Sequence, residues 1–289
     1  MENGQALVLG GGGIAGIAWM TGLLAGLAEA GQDVTGADLI VGTSAGSTVA
    51  AQVGSGLPLD QLLRRQSEPG LQAQEIMTKL DLDQVAADWA EIMQGVASAE
   101  DALRRVGAYA LAADTVTEAQ RLAVIESRLP SQEWSSRRIR LVAVDAESGQ
   151  TRVFDRDSGA GLVDAVAASC AVPGVWPPVT IGGRRYMDGG VRSIDNADLA
   201  AGHERILVIS PTGYDSPIPS PMPLRAVVGR LREDGSEVTV ISPDEASVAA
   251  IGVNALDPAT RVPAAEAGLA QGRRGLPGTA GTAGVAGGG

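Results

Sequence analysis

Residues 37–46 read Ala-Asp-Leu-Ile-Val-Gly-Thr-Ser-Ala-Gly. The run at 37–41 reads as a largely apolar strand that feeds Gly42-Thr43-Ser44-Ala45-Gly46, a G-x-S-x-G string. At the end of a buried strand such a string predicts a sharp turn into a helix, with the serine hydroxyl lifted clear of the sheet edge. Gly42 and Gly46 fit because that turn is crowded and a side chain would clash. Ser44 is thereby a candidate nucleophile. The usual base for such a serine is a histidine, and the chain has one, His203.

On either side of this segment the pattern alternates. Residues 5–9 predict a short buried strand, 10–13 a glycine turn, and 14–30 a helix closed by Gly31. Residues 38–41 predict the second strand and 45–53 the helix behind the turn. Strand and helix in alternation imply a mainly parallel sheet. Residues 58–129 differ. The stretches 59–63, 76–96, 99–111 and 117–129 carry apolar residues at spacings of three and four, and no strand is evident. They predict a helical insertion over the sheet, a natural place for a substrate cap. Strands resume at 138–144 and 151–154, joined by a turn at Ser148-Gly149. A helix at 162–170 stops before Pro173. Residues 185–187 lead into Asp188-Gly189-Gly190, with strands beyond at 205–209 and 237–241, and helices at 244–253 and 258–271. From Gly275 on, the Gly/Ala/Thr-rich composition predicts a flexible end.

A chain of 289 residues suits one large α/β domain or two small ones. Apolar residues make up 45% and aromatics 3%, so the core must be built mostly from Ala, Val, Leu and Ile. There are 22 basic and 34 acidic residues, a net charge of −12. That balance argues against nucleic acid as a partner and offers no polybasic anchor for an anionic membrane. The single cysteine, Cys170, permits no intramolecular disulfide. The first residues lack a basic n-region, and no apolar stretch approaches the roughly 20 residues of a membrane span. The expected location is the cytoplasm.

Three segments carry the chemistry. Gly10-Gly11-Gly12-Gly13-Ile14-Ala15-Gly16 joins a strand to a helix, where bare N–H groups and the helix dipole favour an anion. Taken alone, Gly11, Gly13 and Gly16 also fit a dinucleotide fingerprint, which wants an acid closing the second strand. Here that strand closes on Gly42-Thr43-Ser44 instead, which favours an oxyanion hole over a phosphate cradle. The second segment is the elbow, and the third is Asp188-Gly189-Gly190, which alone would read as a turn. No His/Cys/Asp/Glu cluster has metal-ligand spacing.

In this order, G-G-G-x-x-G, G-x-S-x-G and D-G-G resemble the patatin-like phospholipase family over residues 5 to about 210. The run 168–173, Pro177-Pro178-Val179 and Asn196-Ala197 join the resemblance. It implies a three-layer α/β/α fold with a mainly parallel central sheet and a helical insertion at about 58–129. It implies Ser44 and Asp188 as a catalytic dyad, and the N–H groups of Gly11, Gly12 and Gly13 as the oxyanion hole. Gly16, Gly42, Gly46, Gly189 and Gly190 are the motif glycines. The implied activity is hydrolysis of carboxylic esters of lipids, phospholipase A or lysophospholipase in type, through an acyl-serine. No metal or cofactor is needed. The expected partner is a lipid ester, with at most transient peripheral membrane contact. The expected organisation is a catalytic domain at 5–210, a strand and helix extension packed on it at 211–271, and a flexible tail at 272–289.

With Asp188 as base no histidine is needed, and His203 reads as a surface or loop residue. The family's glycine loop usually carries Arg or Lys where this chain has Ala15. Arg184 and Arg185 offer an alternative positive contact, though solvated strand-end arginines are the plainer reading. Asp145 reads as a turn residue, Ser47 as helix packing, Cys170 as small core filler, and Trp19 and Trp176 as core. Three other functions stay open at this point: a related acyl hydrolase such as an esterase or a transacylase using a non-water acceptor, a nucleotide-binding module built on the glycine loop, and a patatin-fold binding or regulatory protein of weak activity.

Overall fold

The computed structural model describes residues 2–77, 82–216 and 220–276. The chain opens with β1 (Glu2–Leu9), α1 (Gly13–Glu29), β2 (Leu39–Thr43) and α2 (Ala45–Gly54). A helical stretch comes next: α3 (Leu59–Ser67), α4 (Leu82–Ile92), α5 (Ala99–Ala112) and α6 (Glu118–Arg128). Then come β3 (Ile139–Asp145), β4 (Thr151–Phe154), α7 (Leu162–Ser169), β5 (Val179–Ile181) and β6 (Arg184–Asp188). The last elements are β7 (His203–Ile209), α8 (Leu224–Glu233), β8 (Glu237–Ile241), α9 (Glu245–Ile251) and α10 (Arg261–Gly272).

The strands form one sheet with hydrogen-bonded order β5-β6-β3-β2-β1-β7-β8, and β4 also pairs with β3. From β3 through β2, β1 and β7 to β8 every pairing is parallel, while β4, β5 and β6 join antiparallel. Strand residues alternate between two buried faces, as a sheet covered on both sides requires. Leu7, Leu9, Ile40, Leu141 and Ala143 face a core shared with α1, α2, α7 and α10. Ala6, Val8, Leu39, Val41 and Val142 face a second core completed by α8 and the turn at Ala197–Ala200. The result is the expected three-layer α/β arrangement.

The register of β3 sets where β2 and β6 end. Leu141 pairs with both Gly42 and Phe154, so β2 and β4 lie on opposite edges there. Val144 pairs with both Thr151 and Met187, so β4 and β6 lie on opposite edges too. Hence β2 and β6 succeed one another along a single edge of β3 and run toward each other. Thr43, at the end of β2, pairs with Val142, and Asp188, at the end of β6, pairs with Ala143.

The helical insertion falls where the spacing predicts, and side chains cap its helices. Ser98 accepts the Asp101 N–H, and Thr117 with Gln120 forms a reciprocal capping box. The expected helix at 76–96 is shorter. It spans Leu82–Ile92, residues 78–81 lie outside the described residues, and 72–77 are not helical. Just ahead of the expected start, the Glu75 side chain turns inward to pair with Arg128 and Arg261. Two elements have no counterpart among the sequence expectations. Gly182 and Gly183, at φ 59 and 78, turn β5 into β6. In α8, Leu224, Val227, Val228 and Leu231 form a buried stripe at helical spacing. Within the end expected to be flexible, residues 272–276 are described and held by contacts. Arg273 pairs with Glu29, and the Leu276 N–H donates to Gln32. Residues 277–289 of that expectation lie outside the described residues.

Helix α10 packs closely on α1 because glycines line the contact. A Cβ at Gly22 would stand 2.1 Å from the Ala265 carbonyl oxygen, and one at Gly268 would stand 2.2 Å from that of Trp19. Overpacking of this kind typically costs about 1–3 kcal/mol. We therefore expect Gly22→Val to lower the unfolding free energy measured by chemical denaturation by an amount in that range. Gly36→Ala, where a Cβ meets nothing within 4 Å, should leave it essentially unchanged.

Candidate active site

The elbow forms as its sequence requires. Ser44 is the N-cap of α2 with φ 52 and ψ −115, a conformation L residues rarely adopt. Such a residue costs roughly 1–3 kcal/mol and persists only when its surroundings hold it. They do so through both backbone groups. The Ser44 N–H donates to Ser169 Oγ at 3.0 Å. Its carbonyl accepts from Ser47 Oγ at 2.6 Å and from Cys170 Sγ at 3.2 Å. A Cβ at Gly46 would stand 1.9 Å from the Leu9 carbonyl oxygen, so only glycine fits against β1. The Gly46 N–H in turn donates to the Gly10 carbonyl at 3.0 Å, tying the elbow to the glycine loop.

Asp188 arrives on the other side. Its Oδ1 accepts the Gly190 N–H at 2.7 Å, and its own N–H donates to Ala171 at 2.9 Å. Burial, at 4% exposure, raises its pKa to about 6; the Ser44 hydroxyl, the Gly190 N–H and the Arg121 charge pull the other way. Oδ2 has no hydrogen bond of good geometry among the described residues. Ser44 is nonetheless near enough for its hydroxyl to favour the charged form of the carboxylate. Asn196 fixes the spacing. Its Nδ2 donates to Thr43 Oγ1 at 3.0 Å and to the carbonyls of Gly189 and Ser193 at 3.2 and 2.7 Å.

In the glycine loop the three candidate donors are not equivalent. The Gly11 N–H donates to the Ile194 carbonyl at 2.9 Å and is committed within the fold. The N–H groups of Gly12 and Gly13 have no acceptor among the described residues. The loop lies under other chain segments: a Cβ at Gly12 would stand 2.5 Å from Pro211, and one at Gly13 would stand 2.6 Å from the Ala255 carbonyl oxygen.

A cleft beside Ser44 is lined by Gly13, Ile14, Ile17, Ala45, Arg121, Arg128, Cys170, Val172, Trp176 and Leu256. Its room, about 20 Å³, holds about one water. The arginines were not foreseen. On α6 the buried positions are Arg121, Val124, Ile125 and Arg128, the i, i+3, i+4, i+7 stripe of a core-facing helix. Arginine at two of those four positions is the signal that the sequence carries.

The helical pattern around Ser169 and Cys170 likewise hid their polar contacts with the elbow. His203, expected as a surface or loop residue, is buried at 5% exposure at the start of β7, with Nδ1 on the Ala200 carbonyl at 2.9 Å. It opens β7, six residues before Ile209, which pairs with Leu9 at the elbow end of the sheet. At about 3.3 Å per residue it lies roughly 20 Å from that end. Arg184 is exposed and pairs with Asp145 at 2.9 Å, and Arg185 reaches the Pro178 carbonyl. Asp145 Oδ1 accepts two turn N–H groups, from Glu147 and Ser148. Trp19 is fully buried, with Nε1 donating to Gln271.

The model of the patatin-like phospholipase family matches residues 7–201. The chain belongs to that family. Of solved structures, VipD from Legionella pneumophila is similar at 13% identity and a TM-score of 0.48, over 94% of this chain and 66% of that one. The type III effector protein ExoU is similar at 15% identity and a TM-score of 0.39, over 93% of this chain and 53% of that one. This chain therefore spans less than two thirds of either. No curated protein sequence matches it. Membership of the patatin-like family supports lipid hydrolysis in general. No helix of the described residues is long and apolar enough to cross a membrane. Among the same residues no group of three or more His, Cys, Asp or Glu could hold a metal ion.

The raised pKa of Asp188 makes stability depend on pH. The folded value, about 6, lies above the ordinary 3.8, so the native state binds the proton more tightly than the unfolded chain. The folded protein therefore loses up to about 3 kcal/mol as pH rises from 4 to above 6. Asp188→Asn removes that loss. Its Tm should match wild type near pH 4 and exceed it increasingly up to pH 7, as read by thermal unfolding across that range.

Proposed function

We propose that the protein is a serine acyl hydrolase that cleaves carboxylic esters of lipids with Ser44 as nucleophile and Asp188 as general base. The observation that carries this reading is the strained, doubly clamped Ser44 beside a buried carboxylate of raised pKa. An aspartate of ordinary pKa near 4 is a weak base for a serine hydroxyl, and a value of about 6 brings it closer to working pH.

Asp188 Oδ2 takes the Ser44 proton as Oγ attacks the ester carbonyl. The N–H groups of Gly12 and Gly13 receive the oxyanion, while Gly11, bound to Ile194, holds the loop in shape. Donors of this kind typically contribute several kcal/mol at the transition state. The proton passes to the departing alcohol or lysolipid, and water activated by Asp188 then releases the acyl group from Ser44. Residues 5–210 form the catalytic unit in this reading, and 211–271 extend it.

Two substitutions and one profile test it. Ser44→Ala and Asp188→Asn should each abolish release of fatty acid from a panel of lipid esters, with folding confirmed by circular dichroism. His203→Asn should leave the rate unchanged. For wild type, kcat/KM should fall about tenfold per pH unit below the Asp188 pKa of about 6, because the protonated carboxyl cannot accept the serine proton. An undiminished rate in Ser44→Ala would overturn the reading.

A further inference from the structure

A buried carboxyl at the elbow end of the sheet has no part in the chemistry above. Asp195 is 2% exposed, and its Oδ1 has no hydrogen-bond partner among the described residues. It stands against the first residue of the glycine loop. A Cβ at Gly10 would lie 2.1 Å from that oxygen and 3.1 Å from Cγ, so the carboxyl fills the space that a side chain would take there. The residues on either side of Asp195 grip the same machinery. The Ile194 carbonyl accepts the Gly11 N–H at 2.9 Å, and Asn196 spans Thr43 and Gly189. Three consecutive residues thus hold together the glycine loop, the end of β2 and the turn after Asp188.

This position suits a neutral acid. The polar side chain facing it is the Ser210 hydroxyl, just past β7, and no cation among the described residues pairs with it. The charged groups around it are matched with one another. On its own segment Arg192 is bound to Asp198 at 2.7 Å. Across the adjoining loop Arg225 of α8 pairs with Asp215 and lies over the Tyr214 ring. Asp188 is turned toward Gly190 and Ser44. The glycine loop and Pro211 carry no titratable side chain. A carboxylate against Gly10 would be a buried charge without compensation, which proteins avoid by keeping the proton. Burial accordingly raises the pKa of Asp195 to about 7, against the pull of Ser210. Beside it opens a cavity of about 250 Å³, with Tyr214 and Arg225 in its wall. There a carboxylate meets solvent and a cation, but only by leaving Gly10.

We propose that Asp195 is a positioning residue for the hydrolysis: as the neutral acid it seats the glycine loop that receives the oxyanion, and on losing its proton to solvent it withdraws toward the cavity and unseats that loop. This rests on the hydrolase reading above and adds a control by pH to it. The carboxylate acts in two ways. It draws Ile194, and with it Gly11, out of place. It also sets a negative charge near the N–H groups of Gly12 and Gly13, where the transition state places another. Activity is thereby confined to a window, rising as Asp188 loses its proton and falling as Asp195 loses its own.

The pH profile of kcat/KM on p-nitrophenyl butyrate, a water-soluble ester, tests this. Beyond the rise set by Asp188, wild type should show a second limb that falls about tenfold between pH 7 and 9. Asp195→Asn keeps the shape of the side chain and removes its proton chemistry. Its rate should resemble wild type at pH 6 and stay level up to pH 9. Ser210→Ala removes the hydroxyl that favours the carboxylate, so it should move the limb to higher pH. His203→Asn should leave the limb in place. Thermal unfolding gives a readout independent of turnover. Folded Asp195 holds its proton more tightly than the unfolded chain does, so Asp195→Asn should gain in Tm over wild type as pH rises from 4 to 8. A wild-type profile without the falling limb overturns the proposal and leaves the hydrolase reading standing. So does a limb that persists in Asp195→Asn or, should that variant not fold, one that Ser210→Ala leaves unmoved. A Tm difference that does not change with pH overturns it as well. Wild type that cleaves no ester at any pH refutes the hydrolase reading, and the role given to Asp195 falls with it.

Discussion

The edge of β3 is the constraint on which the candidate site depends. Its hydrogen bonds to β2 end at Val142, and those to β6 begin at Ala143. The last residue of one strand and the last of the other are thereby paired with consecutive positions on a common ruler. Ser44 comes directly after Thr43, so the serine and Asp188 meet without either needing a long loop. A slip of one residue on either strand would turn that end of the strand to the opposite face of the sheet. Asn196 adds a side-chain lock between Thr43 and Gly189, across the same junction.

Around that junction the fold holds groups in states that do not favour stability. Ser44 sits at positive φ, Asp188 is a buried carboxylate of raised pKa, and Arg121 is a buried cation with free donors. Each is offset by ordinary packing elsewhere: a sheet buried on both faces, and α1 held tightly against α10. Asp195 belongs to the same group. Burial beside Gly10 raises its pKa to about 7, and its Oδ1 has no hydrogen-bond partner among the described residues. Concentration of strain and unbalanced charge at one end of a sheet is a pattern of functional sites.

Much of this was legible in the sequence. The glycine turn, the elbow and Asp-Gly-Gly all concern short backbone segments whose residue types are dictated locally, and each formed where expected. The helical insertion was legible for the same reason, since its periodicity is local. What escaped depends on contacts distant in sequence. Gly11 loses its N–H to Ile194, and Ser169 and Cys170 grip Ser44 from 125 and 126 residues away. The ion pairs of Glu75 with Arg128 and Arg261, 53 and 186 residues away, likewise lie beyond any local pattern. Arg121 and Arg128 look like a solvated face until the stripe they occupy is seen to point inward.

The central claim is that Asp188 activates Ser44, and chemical labelling tests it most directly. A fluorophosphonate reacts with a serine only when that serine is made nucleophilic by its site. Intact-mass analysis with subsequent peptide mapping should find one adduct, on Ser44, in wild type at pH 8. It should find none on folded Asp188→Asn over the same time. Labelling of Ser44 at equal rates in both proteins, or no labelling of Ser44 in wild type, would contradict the account.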